Sequence, residues 1–392
     1  MKLFTIMWSH YVPPLKTACA DQGIELTAYS NKQLNLRPEL LESVRQSMKS
    51  ADFVLLYRTS DPFWEELEPH IREAGTARPV VITGSDPGLW NLSTVRPEVS
   101  AAAYSYLLYN GDENLDNLVR YLRAVLFGEN TGYRAPEPLA WEGIHHPLLD
   151  GVFSDAGEYL DTYRSARGEP AKGWVGLLYS RSNWVNGNME VERALIASLE
   201  DRGLGVIPAF FYSIKDVNLG NRSGAEVIED YFVHEGKPLV QGIVKLSSFF
   251  LASSGRTGVE QDAPSGAQLM KRLNIPLFCP VISHYKDAEQ WLADAEGLGH
   301  QAGWSIAMPE FEGVIEPMVI GASQGASNPE DERYEPLPDR IARFAGRVAA
   351  WLRLGRKPVS ERKVAFILHN NPCASVEASV GGGAHLDTLQ SV

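Results

Sequence analysis

Cysteine is scarce: Cys19, Cys279 and Cys373 are spread through 392 positions. They form no CxxC pair and no disulfide framework, which points to a reducing compartment. No run of about 18 apolar residues occurs, so no transmembrane helix is expected. The apolar start "MKLFTIMW" is interrupted by His10 and Pro13, too early for a signal peptide. A cytoplasmic protein is the expectation. Basic clusters are also missing and the net charge is −13. That excludes an electrostatic nucleic-acid binder and gives no footing on anionic lipid.

Several chemical signatures are absent too. The glycine run of "SVGGGAHLDT" near the C-terminus follows a strand-like segment, yet no GK[ST] comes after it and no G-x-G-x-x-G spacing surrounds it. A phosphate cradle needs the first, and a dinucleotide fold needs the second. ATP is therefore not expected on this chain. No H-E-x-x-H or H-x-x-x-H occurs, so no resident metal site is expected. No G-x-S-x-G elbow supports a serine nucleophile.

What is present is a rhythm. Short apolar runs at 3–8, 24–28, 52–57 and 79–83 alternate with helical patterns at 14–22, 38–49, 62–74, 97–110 and 112–127. This βαβ alternation predicts a parallel sheet with helices on both faces. The stretch "GYRAPEPLAWEGIHHP" breaks it. The rhythm resumes with strands at 173–180, 205–210, 239–245, 276–281 and 303–309, and helices at 187–202 and 339–354. The fold class is α/β: two doubly wound, Rossmann-like, mainly parallel domains plus the start of a third unit. The expected divisions are 1–133, a crossing segment 134–172, a second domain 173–360, and 361–392 as the further unit.

Candidate site residues follow from strand ends, which line the ligand crevice in open α/β sheets. His10, His284 and His369 each follow an apolar run. The adjacent His145 and His146 cannot readily face one ion. In "YSRSNWVNGNME", Arg181, Trp184, Asn186 and Asn188 cluster between a strand and a helix start. Arg grips carboxylates in a fork and Trp offers a flat apolar face, which suits a planar, carboxylated ligand. In "PEFEGVIEP", Glu310 and Glu316 are carboxylates that can act as bases or meet a metal.

Six segments, taken in order, carry a family resemblance. They are "GIHHPLLDGVFSDAGEYLDTYR", "VGLLYSRSNWVNGNMEVERALIASLEDRGLGVIPAFFYSIKD", "KRLNIPLFCPVIS", "MPEFEGVIEPMVIG", "DRIARFAGRVAAWLRLGRKPVSERKVAFILHNNP" and "GAHLDTLQS". Together they resemble the N-terminal part of the large, tetrapyrrole-binding subunit of CobN-type cobaltochelatase, which is related to the H subunit of magnesium chelatase. Members of that family are much longer, so the end of this chain reads as a cut edge.

The resemblance implies insertion of cobalt into a corrin ring, hydrogenobyrinic acid a,c-diamide, in cobalamin biosynthesis. It implies a tetrapyrrole and a divalent metal (Co or Mg) as substrates, and ATP hydrolysis on separate AAA+ partner subunits. Arg181, Trp184, Asn188 and Asn370 become candidates for gripping the macrocycle. Glu310, Glu316 and His369 become candidate bases or metal-approach groups. The alternatives are magnesium insertion into protoporphyrin IX, or a non-enzymatic two-lobe module that binds a small molecule.

Overall fold

The computed structural model describes residues 1–248, 250–252, 266–324 and 333–365, with strand backbones at Ser379–Val380 and Ala384–His385. Its first sheet holds β1 (Lys2–Met7), β2 (Glu25–Ser30), β3 (Phe53–Tyr57) and β4 (Val80–Thr83), all parallel, in the order β2-β1-β3-β4. Six helices accompany it: α1 (Val12–Asp21), α2 (Asn31–Leu36), α3 (Leu41–Ser50), α4 (Phe63–Gly75), α5 (Pro97–Tyr109) and α6 (Asp112–Phe127). Side chains alternate across a strand, and here both sets are apolar. Leu3, Met7, Phe53, Leu55 and Val81 pack with Leu15, Tyr106 and Leu118 of α1, α5 and α6. Phe4, Ile6, Val54, Leu56 and Ile82 pack with Val44, Leu67 and Ile71 of α3 and α4. Burial on both faces explains the continuous apolar runs in the sequence.

The second sheet is built from β5 (Gly143–Ile144), β6 (Trp174–Ser180), β7 (Gly205–Phe211), β10 (Ile243–Lys245) and β11 (Leu277–Phe278), in the order β11-β10-β6-β7-β5. Only β5, at the edge, runs antiparallel to its neighbour. Between β7 and β10 a small hairpin, β8 (Val233–His234) with β9 (Lys237–Pro238), precedes the strand. The helices are α7 (Ala156–Arg167), the short α8 (Arg181–Val185), α9 (Glu190–Glu200), α10 (Gly224–Phe232) and α11 (Gly266–Leu273). Tyr159, Ile228 and Leu269 of α7, α10 and α11 share one core with Leu178, Ile207 and Ile243, while α9 packs on β7. Two parallel sheets with flanking helices are the α/β arrangement expected.

Pro280 ends the second sheet's edge. It has no N–H for the ladder, and the chain re-enters as β12 (Val281–Ser283) in a separate sheet. There β12 pairs in parallel with β13 (Val319–Gln324), which pairs antiparallel with β14 (Arg333–Pro336). Between them lie α12 (Ala288–Ala293), a π-helical turn (Gly303–Ala307) and α13 (Met308–Glu310). The strand expected at 303–309 is thus helical. Gln301, Ser305 and Pro309 are its buried positions, a spacing of four that polar side chains conceal from an apolar-pattern reading. Ser305 Oγ donates to the Gln301 carbonyl at 2.7 Å.

Helix α14 (Pro338–Arg356) follows β14. Contacts gather Met1–Ala349 into one unit and Ala350–Val392 into another. Among the described residues no helix is long and apolar enough to cross a membrane.

Candidate functional site

Each sheet has a point where successive strands depart to opposite sides. In the first sheet the chain steps from β1 to β2, then returns beyond β1 to lay down β3. In the second it steps from β6 to β7, then returns to β10. Loops diverge at such points and leave a crevice beyond the carboxyl ends of the strands. Here the two crevices meet. Ser9 and His10 after β1, Ser180 at the end of β6 with Ser182 beyond it, and Leu246, Ser247 and Ser248 after β10 line one cleft of about 220 Å³. The third sheet closes it with Val281, Ile282, His284, Arg333 and Tyr334.

The wall is rich in amides and hydroxyls. Asn183, Asn186 and Asn188 lie along α8 and the turn into α9, and all three line the cleft. Asn186 Nδ2 donates to the His10 carbonyl at 3.0 Å. Asn188 Oδ1 accepts from the Tyr334 N–H at 3.0 Å. The ledge thereby touches both the first sheet's loop and the third sheet.

Two imidazoles face the same space. Loss of solvent holds His10 down to about 4. Burial, with the positive charge of Lys32 adding to it, holds His284 down to about 3. Both rings are therefore neutral at pH 7. His284 Nδ1 is 2.9 Å from the Tyr334 hydroxyl, and the ring lies 5.4 Å from that of Trp304. Among the described residues no group of three His, Cys, Asp or Glu is placed to hold a metal ion.

The remaining sequence candidates fall elsewhere. Arg181 is buried, and its guanidinium is committed to backbone: Nε donates to the Ala140 carbonyl at 2.7 Å, and Nη2 to those of Tyr109 and Leu139 at 2.9 and 3.3 Å. It also stacks over Trp141, 4.5 Å from the ring centroid. Burial lowers its pKa to about 10, which leaves it charged. It clamps chain to chain, and its fork is not held open for a ligand carboxylate. Trp184 is stacked on Phe210, centroids 4.0 Å apart and 9° from parallel. Glu316 is paired with Arg347, whose Nη2 donates at 2.6 Å, and Glu310 is exposed on α13. None of these four lines the cleft, whereas Asn188 does. His369 and Asn370 lie outside the described residues.

His145 and His146 point to different partners. His146 accepts the Leu148 N–H at Nδ1, so Nε2 carries the proton that faces Glu200 at 3.2 Å. His145 Nδ1 is 3.1 Å from the Gly151 carbonyl.

Glu192 was not legible as a functional residue, because an acid in a helix's first turn ordinarily faces water. It is 1% exposed. Burial raises its pKa to about 7 despite the hydrogen bond from Asn183. That bond runs from Asn183 Nδ2 to Oε1 at 2.8 Å, and Oε2 has no partner among the described residues.

Comparison with known proteins shows the family. The family described as CobN/Magnesium Chelatase matches residues 104–392. An uncharacterised protein of Methanocaldococcus jannaschii is 34% identical over 100% of this chain and 30% of its own length. The magnesium-chelatase subunit ChlH of Oryza sativa subsp. indica is 28% identical over 71% of this chain and 20% of that protein. The aerobic cobaltochelatase subunit CobN of Pseudomonas aeruginosa is 25% identical, with coverages of 77% and 23%. The chain thus spans between a fifth and a third of the length of these relatives. The solved catalytic subunit of cobaltochelatase from Mycobacterium tuberculosis has the same fold over 90% of this chain and 27% of that one, with a TM-score of 0.54 at 19% identity. The family match covers well over half of the residues, and the chain belongs to the CobN/magnesium chelatase family.

Proposed function

We propose that this chain supplies part of the tetrapyrrole-binding surface of an ATP-dependent metal chelatase, of the type that inserts cobalt into hydrogenobyrinic acid a,c-diamide. The observation that carries this reading is the cleft where the two switch points meet, walled by asparagines and two neutral histidines. A cavity of 220 Å³ is smaller than the ~300–1,000 Å³ of sites that enclose a drug-sized ligand. It suits the edge of a macrocycle, with the disc extending outward. Amides and hydroxyls serve the polar substituents at that edge.

Metal insertion exchanges two ring N–H protons for one divalent ion. Imidazoles that stay unprotonated present lone pairs to an approaching cation. The same low pKa values make His10 and His284 weak proton acceptors, so the role we assign them is to the metal. ATP hydrolysis belongs, in this reading, to separate AAA+ partner subunits.

Magnesium insertion into protoporphyrin IX is the second reading, favoured by the ChlH relative's similarity. Titrating both macrocycles against the chain, with tryptophan emission as the readout, decides between them. Tighter binding of the diamide is the expected result. Tighter binding of protoporphyrin IX selects the magnesium reading, and binding of neither macrocycle removes both.

A further inference from the structure

The cleft's ledge rests on an acid that none of the chemistry above uses. Glu192 lies beneath α8, its Oε1 accepting from Asn183 Nδ2 at 2.8 Å and its Oε2 without a partner among the described residues. The bond fixes the Asn183 carboxamide. Its Nδ2 is turned down toward the acid. With Nδ2 so engaged, Oδ1 is the carboxamide atom that can serve a ligand as an acceptor in the cleft that Asn183 lines.

We propose that Glu192 is the positioning residue of this cleft: it orients Asn183 as an acceptor for a ligand N–H or O–H, and binding of such a donor releases a proton from Glu192. The link is hydrogen-bond polarisation. A donor on Asn183 Oδ1 makes the Nδ2–H group a stronger donor. A stronger donor stabilises the ionised carboxyl over the protonated one. The free carboxyl titrates near 7, so the coupling falls inside the working pH range.

The surroundings leave Glu192 as the group that responds. On its own helix, Arg193 draws its pKa down and Glu190 pushes it up, and these two are paired with each other at 2.9 Å. The Tyr179 phenol of β6 is pushed up by burial and then by Glu192. β7 carries no titratable side chain. On β14, which also packs on α9, the Tyr334 hydroxyl is engaged with His284, Glu335 accepts from Gln324, and Arg333 lines the cleft.

The inference rests on the tetrapyrrole reading for the choice of probe. Hydrogenobyrinic acid a,c-diamide, whose peripheral amides carry N–H donors, is titrated against the full chain at pH 6 and pH 8. The ionised fraction of a carboxyl with pKa about 7 rises about tenfold over that interval, which is the largest gain in affinity Glu192 can give. Glu192→Gln keeps an acceptor for Asn183 but cannot ionise, so it reports any titration belonging to the ligand itself. The expected result is an affinity that tightens several-fold more, from pH 6 to 8, in the wild type than in Glu192→Gln. Equal pH dependence in the two proteins overturns the inference. If the wild type binds no diamide, the cobalt–corrin reading fails, and Glu192 is then judged on the free protein. There the side-chain amide resonance of Asn183 shifts with a midpoint near pH 7, and the same readout serves if Glu192→Gln does not fold. A resonance that stays fixed from pH 6 to 8 overturns the positioning role on its own.

Discussion

Glu192 and Arg181 show how burial changes what a charged residue means. For Glu192 the folded pKa, about 7, lies above the unfolded value of roughly 4.3. The fold therefore prefers the protonated form. Its favourable contribution is complete below the unfolded pKa, shrinks as pH rises, and is lost above about 7. Glu192→Gln is thus expected to match the wild type near pH 4 and to exceed it at pH 8, by about 4 kcal/mol at most. Urea unfolding midpoints at the two pH values check this, and a variant no more stable at pH 8 contradicts the buried placement. Arg181 carries the opposite lesson. Its type and position suggested a ligand grip, but its hydrogen bonds go to carbonyls at 109, 139 and 140. Those partners are 41 to 72 positions away in sequence, so no local pattern could name them. Arg181→Ala strips a charged donor from three carbonyls and is expected to cost about 3 kcal/mol. A thermal melt unchanged from the wild type would show that the clamp is idle. His10 and His284 were legible because each ends an apolar run that becomes a strand. Their meeting in one cleft was not, since that depends on how three sheets pack.

At the scale of elements, legibility followed apolar periodicity. Strands β3, β4 and β6 were readable because their buried positions are apolar, whereas the two-residue β5 lay inside what read as a crossing segment. The turn at Gly303–Ala307 was misread as a strand because its buried position, Ser305, is polar, as is Gln301 one turn before it. Helix α8 was hidden in what looked like a loop, being only five residues long. Glycine inside β6 has a packing reason. A Cβ on Gly176 would lie 2.6 Å from the Phe232 ring of α10, closer than any carbon pair tolerates. Gly176→Ala therefore pushes α10 off the sheet or forces Phe232 from its rotamer, at a cost of about 1–3 kcal/mol. Chemical denaturation measures it. If the space is as tight as described, the paired change Gly176→Ala with Phe232→Leu recovers part of the loss.

At the scale of the whole molecule, the α/β class was legible because alternating strands and helices admit few other packings. The buried pair Lys245–Glu312 was not, although Lys245 directly precedes residues that line the cleft. Lys245 ends β10, is fully buried, and donates to Glu312 Oε2 at 2.6 Å. Glu312 Oε1 accepts the Leu251 N–H at 2.7 Å, and the start of α11 at Gly266 sits directly against it. One carboxylate thus gathers the segment after α13, the chain beyond β10 and a helix start, immediately beside the cleft residues Leu246, Ser247 and Ser248. Removing one partner strands a buried charge, so Glu312→Ala is expected to lose about 3–5 kcal/mol. Replacing both partners with apolar side chains, as in Lys245→Met with Glu312→Leu, removes the desolvation cost together with the attraction and is expected to leave stability within about 1–2 kcal/mol of the wild type. The double variant nonetheless has no acceptor for the Leu251 N–H, so the chain beyond β10 is free to shift. Near-native stability with affinity for hydrogenobyrinic acid a,c-diamide weakened several-fold is the outcome that assigns this pair to shaping the cleft. Unchanged affinity in a stable double variant would confine the pair to stability alone.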